Sequence, residues 1–315
     1  MRTRTEVKPS PYSDPNDKRL STVIESASRA QQRAVNILGV PFDGAVLGRK
    51  GAAGGPSGVR DALSGFSNYS PELGLSLEEA RIFDLGDIVF GGQDVEAAHS
   101  VIEEEAEECI RLGSLLAVLG GDNSISLPCI RAVAGKFRRI GLVVLDSHFD
   151  LRGRIGGKPT SGSSYGLAIE TVQELDAKRV SEVGIHGFLN SRKYARMAEQ
   201  EGVAVFTAAE VFERGMENVI GDAYRTARKG ADAVYFSVDL DVVDAAYVSG
   251  VSAPSSGGIG AKDLFEAAFY MGSKTDVHCA DIVELAPSLD ASGKSQIVAA
   301  TALVYLAAGF ASRRD

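Results

Sequence analysis

From Val35 onward the chain alternates short β-rich runs, several of them continuously apolar, with segments of helical period, and this alternation constrains the fold more than any other feature. LLAVLGG at 115–121, IGLVVLD at 140–146 and DAVYFSVD at 232–239 are apolar at successive positions. A strand of that kind needs cover on both faces, as in a parallel sheet flanked by helices. The pattern predicts strands at 35–40, 82–88, 115–120, 141–146, 181–186, 203–207, 233–238 and 279–283. It predicts helices near 95–112, 127–137, 192–201, 208–229, 261–270 and 295–311. The expectation is an α/β fold: three α/β/α layers around a mainly parallel, eight-stranded sheet.

No Gly/Ser/Pro linker and no internal repeat interrupts this stretch, so 31–315 reads as a single catalytic domain. Residues 1–30 are polar and carry Pro9, Pro11 and Pro15. They read as an N-terminal arm, poorly ordered or packed on a neighbour. Lys and Arg number 33 against 42 Asp and Glu, a net charge of 33 − 42 = −9, with no basic run. That balance argues against nucleic acid and anionic membrane as partners. The start lacks the apolar core of a secretory signal, and the longest mostly apolar stretch, 297–311, is short for a bilayer span. A cytoplasmic location is expected. Cys109, Cys129 and Cys279 lie far apart in apolar surroundings and read as buried free thiols.

In an open parallel sheet, ligands bind beyond the carboxyl ends of the strands. Four predicted strands end in polar groups: Asp122-Asn123-Ser124, Asp146-Ser147-His148-Phe149-Asp150, Asp239-Leu240-Asp241 and Glu284. If extended, Asp146, His148 and Asp150 point to one face, as do Asp239 and Asp241. Carboxylates gathered in one crevice repel unless protons or cations neutralise them. Oxygen-rich ligation with one imidazole suits Mn²⁺ better than a thiolate-bound metal. Five ligands from two strand ends are enough to bridge two ions, and a shared water would become a hydroxide nucleophile near neutral pH. D-x-H-x-D alone also fits a solvated loop, and D-x-D a helix cap or turn. Both motifs after buried strands in one chain favour the metal site.

These residues carry a family resemblance. GVPFDGAVLGRKGAAGGPSGVR at 39–60, GGDNS at 120–124, DSHFDLR at 146–152, SVDLDVVD at 237–244 and DIVELAP at 281–287 resemble the ureohydrolase superfamily of arginases, agmatinases and formimidoylglutamases. The pieces follow the family's order and cover about 35 to 311. The resemblance implies an arginase-like fold, a pair of Mn²⁺ ions and a trimer or hexamer. It implies that Asp146 and Asp239 bridge the ions, that Asp150 completes one site, and that His148 and Asp241 complete the other. Glu284 matches the family's acid near the reacting nitrogen, and Asp150 is the expected proton carrier; the bland alternative for Glu284 is a strand-end salt bridge.

Two departures from the arginase and agmatinase pattern matter. Asn123 stands where the family's GGDHS motif has a metal-binding His, so one ion is expected to bind weakly or to be absent. Some bacterial formimidoylglutamase-like sequences resemble this GGDN form. The second departure is Pro159-Thr160-Ser161-Gly162-Ser163-Ser164, which has no His where those branches carry Ser-His-Gly. This segment and Gly187-Phe188-Leu189-Asn190-Ser191 resemble the formimidoylglutamase branch. Arg152, Arg154 and Lys158 add a local charge of +3 between Asp150 and Ser161, and Arg49 and Lys50 lie in the first loop. Such walls disfavour a cationic substrate and attract a dicarboxylate. The expected reaction is hydrolysis of N-formimidoyl-L-glutamate to L-glutamate and formamide, a step of histidine degradation. Arg152, Arg154, Ser161, Gly162 and Asn190 are the expected substrate contacts. The alternatives are an agmatinase or guanidino-acid hydrolase releasing urea, and a non-catalytic homologue whose metal centre Asn123 impairs. His186 reads as structural, and His99 and His278 receive no role.

Overall fold

The structure, a computed structural model, describes residues 2–3, 7–12 and 14–313. All eight predicted strands form. They are β3 (Val35–Gly39), β6 (Ile82–Ile88), β7 (Leu115–Leu119), β8 (Ile140–Leu145), β9 (Leu175–Ile185), β10 (Ala204–Thr207), β11 (Ala233–Asp239) and β12 (Val277–Val283). They lie in the order β6-β3-β7-β12-β11-β8-β9-β10, and every neighbouring pair is parallel. Two short strands, β1 (Arg2–Thr3, antiparallel) and β2 (Ile24–Ser26, parallel), add to β6 and bring the sheet to ten strands. A separate two-stranded hairpin joins β4 (Tyr69–Ser70) to β5 (Leu75–Ser76). The first thirty residues therefore contribute to the fold where they are described. Besides β1 and β2, Leu20 is buried in the core and Lys8 pairs with Asp61 at 2.6 Å.

Residues on each central strand alternate between two apolar layers, as the pleat requires. Leu115, Ala117 and Leu119 of β7 face one layer, while Leu116 and Val118 face the other. The first layer holds side chains of α1 (Gly55–Leu63), α6 (Ala208–Arg214), α7 (Met216–Arg228), α8 (Ala261–Gly272) and α9 (Lys294–Ala311). The second holds those of α2 (Val95–Cys109), α3 (Ser126–Ala134), α4 (Ser164–Thr171) and α5 (Arg192–Glu201). The expected helix over 208–229 is two helices, because Gly215, at φ 79°, breaks it. α9 has 18 residues and is apolar enough to cross a bilayer, but it packs against α1 and α8 as a core helix. The three cysteines are free and buried, as expected.

This strand order positions the site. β7, β12, β11 and β8 are consecutive in the sheet, and these are the four strands that end in GGDN, Glu284, Asp239 and Asp146. Clusters far apart in sequence thus emerge side by side at one edge of a parallel sheet.

Candidate metal centre

Three of the four strand ends use the same local device. Asp122 accepts a hydrogen bond from the Ser124 amide (3.0 Å), Asp146 from the His148 amide (2.6 Å) and Asp239 from the Asp241 amide (2.9 Å). Each is an Asx turn, in which an aspartate caps the backbone two residues on. The turns correct one expectation: the chain from Asp146 to Asp150 is not an extended strand. β8 ends at Leu145, and Asp150 takes a left-handed backbone with φ 46°. Glu284 is also left-handed, with φ 69°. Such conformations cost about 1 kcal/mol or more in a non-glycine residue and concentrate at functional sites.

The resulting cluster is tight. Ligand atoms of Asp146, His148 and Asp241 all lie within 4.8 Å of one another, and those of Asp146, Asp150 and Asp239 do the same. Asp146 belongs to both groups. His148 Nδ1 is 3.0 Å from Asp241 Oδ2 and 3.5 Å from Asp146 Oδ1. Ser147 steadies Asp241 from behind, donating from its hydroxyl (2.7 Å) and its amide (3.2 Å). Asp146 Oδ2 is buried and has no hydrogen-bond partner among the described residues.

Electrostatics report crowding. Burial first, then Asp150 and Asp241, push Asp146 well above the usual carboxylate range. Burial, Asp241 and Asp146 do the same to Asp239. Burial raises Asp150 to about 6, and burial with Asp122 nearby raises Glu284 to about 8. Burial works against a charged His148, yet Asp146 and Asp241 overcome it and raise it to about 12. Asp241 is the exception: burial pushes it up, but His148 and Ser147 pull it below its ordinary value. A pocket that drives acids toward neutrality and holds an imidazolium is short of positive charge. The unpartnered Asp146 oxygen, two groups sharing Asp146, and five oxygen or imidazole donors fit a pair of hard divalent cations.

Asn123 reaches the cluster: its Nδ2 is 2.7 Å from Asp150 Oδ2. Its backbone amide donates to Glu284 Oε1 at 2.7 Å, which fastens the GGDN turn to the end of β12. Gly121 is obligatory beside it, because a Cβ there would stand 1.6 Å from the Phe42 carbonyl oxygen of the first loop. Asp122 ties that loop down by accepting from the Ala45 amide at 2.9 Å. Asp122 thus has a bracing role that its place in the motif did not reveal.

The expected substrate contacts divide. Arg152 lies close enough to Asp150 to lower its pKa and stacks over the Tyr194 ring at 5.3 Å. Arg154 is engaged elsewhere, donating to Glu96 at 2.6 Å, so its fork is not presented to the centre. Asn190 is a brace rather than a free amide. Its Oδ1 accepts from the Phe149 amide, and its Nδ2 donates to the Ser147 and His186 carbonyls. Ser161 Oγ accepts from the Leu47 amide at 3.1 Å, and the Gly162 carbonyl accepts from the Arg152 amide. The first bond joins the first loop to the 152–164 loop, and the second closes the 152–164 loop on itself. Arg49 likewise clamps the carbonyls of Ser249 and Val251. His186 is held between the Gly184 carbonyl and Ser255, in keeping with a structural role.

Residues 33–309 match the family model described as the arginase family. A formimidoylglutamase of Halobacterium salinarum is 35% identical over 301 residues, covering 94% of this chain and 95% of that protein. The crystal structure of formimidoylglutamase from Bacillus subtilis superposes with a TM-score of 0.91 at 28% identity, covering 97% of this chain and 96% of that one. Trypanosoma cruzi formiminoglutamase, crystallised with two Mn²⁺ ions, gives a TM-score of 0.86 at 28% identity, covering 95% of this chain and 100% of that one.

Proposed function

The chain belongs to the arginase family, and on that footing we propose that it hydrolyses N-formimidoyl-L-glutamate to L-glutamate and formamide. The observation that carries the reading is the pair of three-residue groups sharing Asp146, set at the adjoining ends of β8 and β11. The enzyme is a metal-dependent hydrolase and its cofactor is Mn²⁺. Asp146, His148, Asp150, Asp239 and Asp241, with Asn123 as a neutral sixth donor, would hold two ions. Bound there, the ions supply Lewis-acid polarisation and the activation of water.

The protein's own groups do the rest. Water adds to the trigonal amidine carbon, and the bond from that carbon to the glutamate nitrogen breaks. The departing amine needs a proton, and Asp150, whose Oδ2 lies 2.7 Å from Asn123 Nδ2, would carry it. Glu284 is anchored through Oε1 on the Asn123 amide and faces the same space, where it would hold the amidine nitrogen. Arg152 would meet a substrate carboxylate, since a guanidinium matches that group with two parallel hydrogen bonds. The absence of a His in the 159–164 loop and the Arg152 charge beside Asp150 favour a dicarboxylate amidine over agmatine. The chemistry belongs to histidine degradation, in the cytoplasm, in a homo-oligomer.

The test is product analysis with Mn²⁺-loaded protein. N-formimidoyl-L-glutamate should yield glutamate and formamide in equal amounts, while agmatine and a guanidino acid yield no urea. Urea from a guanidino substrate would keep the metal centre and overturn the substrate.

A further inference from the structure

Behind Asn123 lies a buried polar cluster that no step of the reaction uses. Its members are Ser126 of α3, Tyr165 of α4, Tyr235 and Ser237 of β11 and Asp281 of β12, and all five are buried. Asp281 Oδ1 accepts from Ser237 Oγ at 2.6 Å. Its Oδ2 accepts from Ser126 Oγ at 2.6 Å and from the Tyr235 hydroxyl. Tyr165 Oη is 3.0 Å from Ser237 Oγ. Two of these hydroxyls also face the Asn123 side chain: Ser126 Oγ at 2.9 Å and Tyr165 Oη at 3.1 Å from Oδ1.

Counting protons decides what this cluster does. Each hydroxyl has one proton to give. An ionised Asp281 takes those of Ser126, Ser237 and Tyr235. Ser237 Oγ, its own proton spent, accepts the proton of Tyr165. None is left for Asn123, and the two hydroxyl oxygens that face it offer only lone pairs. The orientation with Oδ1 toward them makes Ser126 divide a single proton between Asn123 and Asp281. The opposite orientation, with NH₂ toward them, gives both hydroxyl oxygens a donor and leaves Ser126 its whole proton for Asp281, and the two ends of an amide exchange by simple rotation. The Asn123 carbonyl oxygen then stands at the place now 2.7 Å from Asp150 Oδ2. Two oxygens converging at that separation call for a cation between them or beside them.

We infer that Asp281, acting through Ser126, Ser237 and Tyr165, turns the Asn123 carbonyl oxygen toward Asp150 and so sets cation affinity at the Asp146–Asp150–Asp239 group. The inference rests on the reading above that Asn123 is a metal donor. Asp281 is a positioning residue here: it touches neither ion nor substrate. Its side chain lies on the opposite side of Asn123 from the centre, so its charge reaches the centre as a hydrogen-bond direction.

The experiment is a Mn²⁺ titration followed by calorimetry and electron paramagnetic resonance, on the wild type, Asp281→Asn, Asn123→Asp and the double variant. Asp281→Asn should weaken one of the two ions about 10- to 100-fold, the usual cost of losing an outer partner of a ligand, and leave the other unchanged. A carboxylate at 123 has two equivalent oxygens and no orientation to lose. In the Asn123→Asp background the added Asp281→Asn change should therefore shift affinity by less than about threefold. Ser237→Ala is the milder variant should Asp281→Asn not fold: it frees the Tyr165 proton for Asn123 and should weaken the same ion. Two ions bound as tightly in both variants as in the wild type would overturn the inference and leave the metal centre standing. So would an equal loss in the Asn123→Asp background. A wild type that binds no Mn²⁺ would overturn the metal reading and the inference with it.

Discussion

Asp146 and Asp239 follow directly on a hydrogen-bonded register pair, Leu145 of β8 and Val238 of β11, so two carboxylates remote in sequence leave adjacent parallel strands side by side. Both are buried, and burial together with neighbouring acids drives both well above the ordinary carboxylate range. Neither position makes sense for a bare carboxylate. Together they make sense as the shared edge of a cation site.

Metal should therefore stabilise the fold. A ligand that binds only the folded state at about 100 times its Kd contributes roughly 2.7 kcal/mol. Mn²⁺-loaded protein should melt several degrees above protein stripped with EDTA, by calorimetry. Equal melting temperatures would remove the main support for the converging-carboxylate picture.

Stripped protein should also lose stability as pH rises. Asp150 and Glu284 have folded values of about 6 and about 8, above their ordinary ones near 4. The unfolded chain releases these protons first, so the folded state is penalised progressively from about pH 4 up to those values. His148, raised to about 12, adds stability that is full below about pH 6.5 and is lost as pH climbs toward its folded value. The two effects share a sign. Burial lowers His99 to about 4, which works in the opposite direction up to about pH 6.5. The melting temperature of EDTA-treated protein should therefore fall between about pH 6.5 and pH 8, and Mn²⁺ should flatten or reverse the slope, because the ions replace the protons. A stripped protein that grows more stable across this range would contradict the charge analysis.

Asp146→Asn tests the shared ligand. It keeps the shape of the side chain and removes the charge common to both groups. Activity should fall by well over about 100-fold, more than an outer-shell partner costs. Metal content by elemental analysis should drop for both ions. Retention of two ions would show that Asp146 is not shared.

Asn190→Ala tests the scaffold. It removes three hydrogen bonds that hold the 146–150 loop against the end of β9, at about 1 kcal/mol each. Chemical denaturation should report a loss of about 1–3 kcal/mol. If Asn190 contacts substrate instead, the stability would hold and KM alone would rise.

Arg60 is a separate test of the sheet's edge. It is buried on α1 and donates to Asp84 through two nitrogens, at 2.7 and 2.9 Å, and to Asp87 at 2.6 Å. Arg60→Met would leave two acids facing an apolar chain, and breaking a buried pair in this way costs about 3–5 kcal/mol. A loss below about 1 kcal/mol would mean that the acids find other partners.

The central strands β7, β8 and β11 were legible because a strand covered on both faces must be apolar at consecutive residues, and Leu115, Ile140 and Ala233 each open such a run. α1 and α4 were not legible. Their sequences, GPSGVRDAL and SYGLAIET, carry glycines that read as loop, and Pro56 sits in the first turn where a helix tolerates it. β1 and β2 are two and three residues long, too short to show any period. In the site, the D-x-H-x-D and D-x-D spacings pointed to the five side chains that the fold brings together. The Asx turns and left-handed Asp150 that bring them together left no such mark. Arg154 illustrates the opposite limit: charge density at 152–158 was visible, but Glu96, which holds Arg154, lies far back in sequence at the start of α2. The hydroxyls around Asp281 were silent, because isolated Ser and Tyr residues on three elements form no pattern until the fold assembles them.

The most direct measurement is anomalous scattering at the manganese absorption edge from crystals grown with Mn²⁺. Two peaks should appear, one among Asp146, His148 and Asp241 and the other among Asp146, Asp150, Asp239 and Asn123, with the second the weaker. Manganese bound away from Asp146, or no ordered manganese in crystals of active protein, would contradict the account.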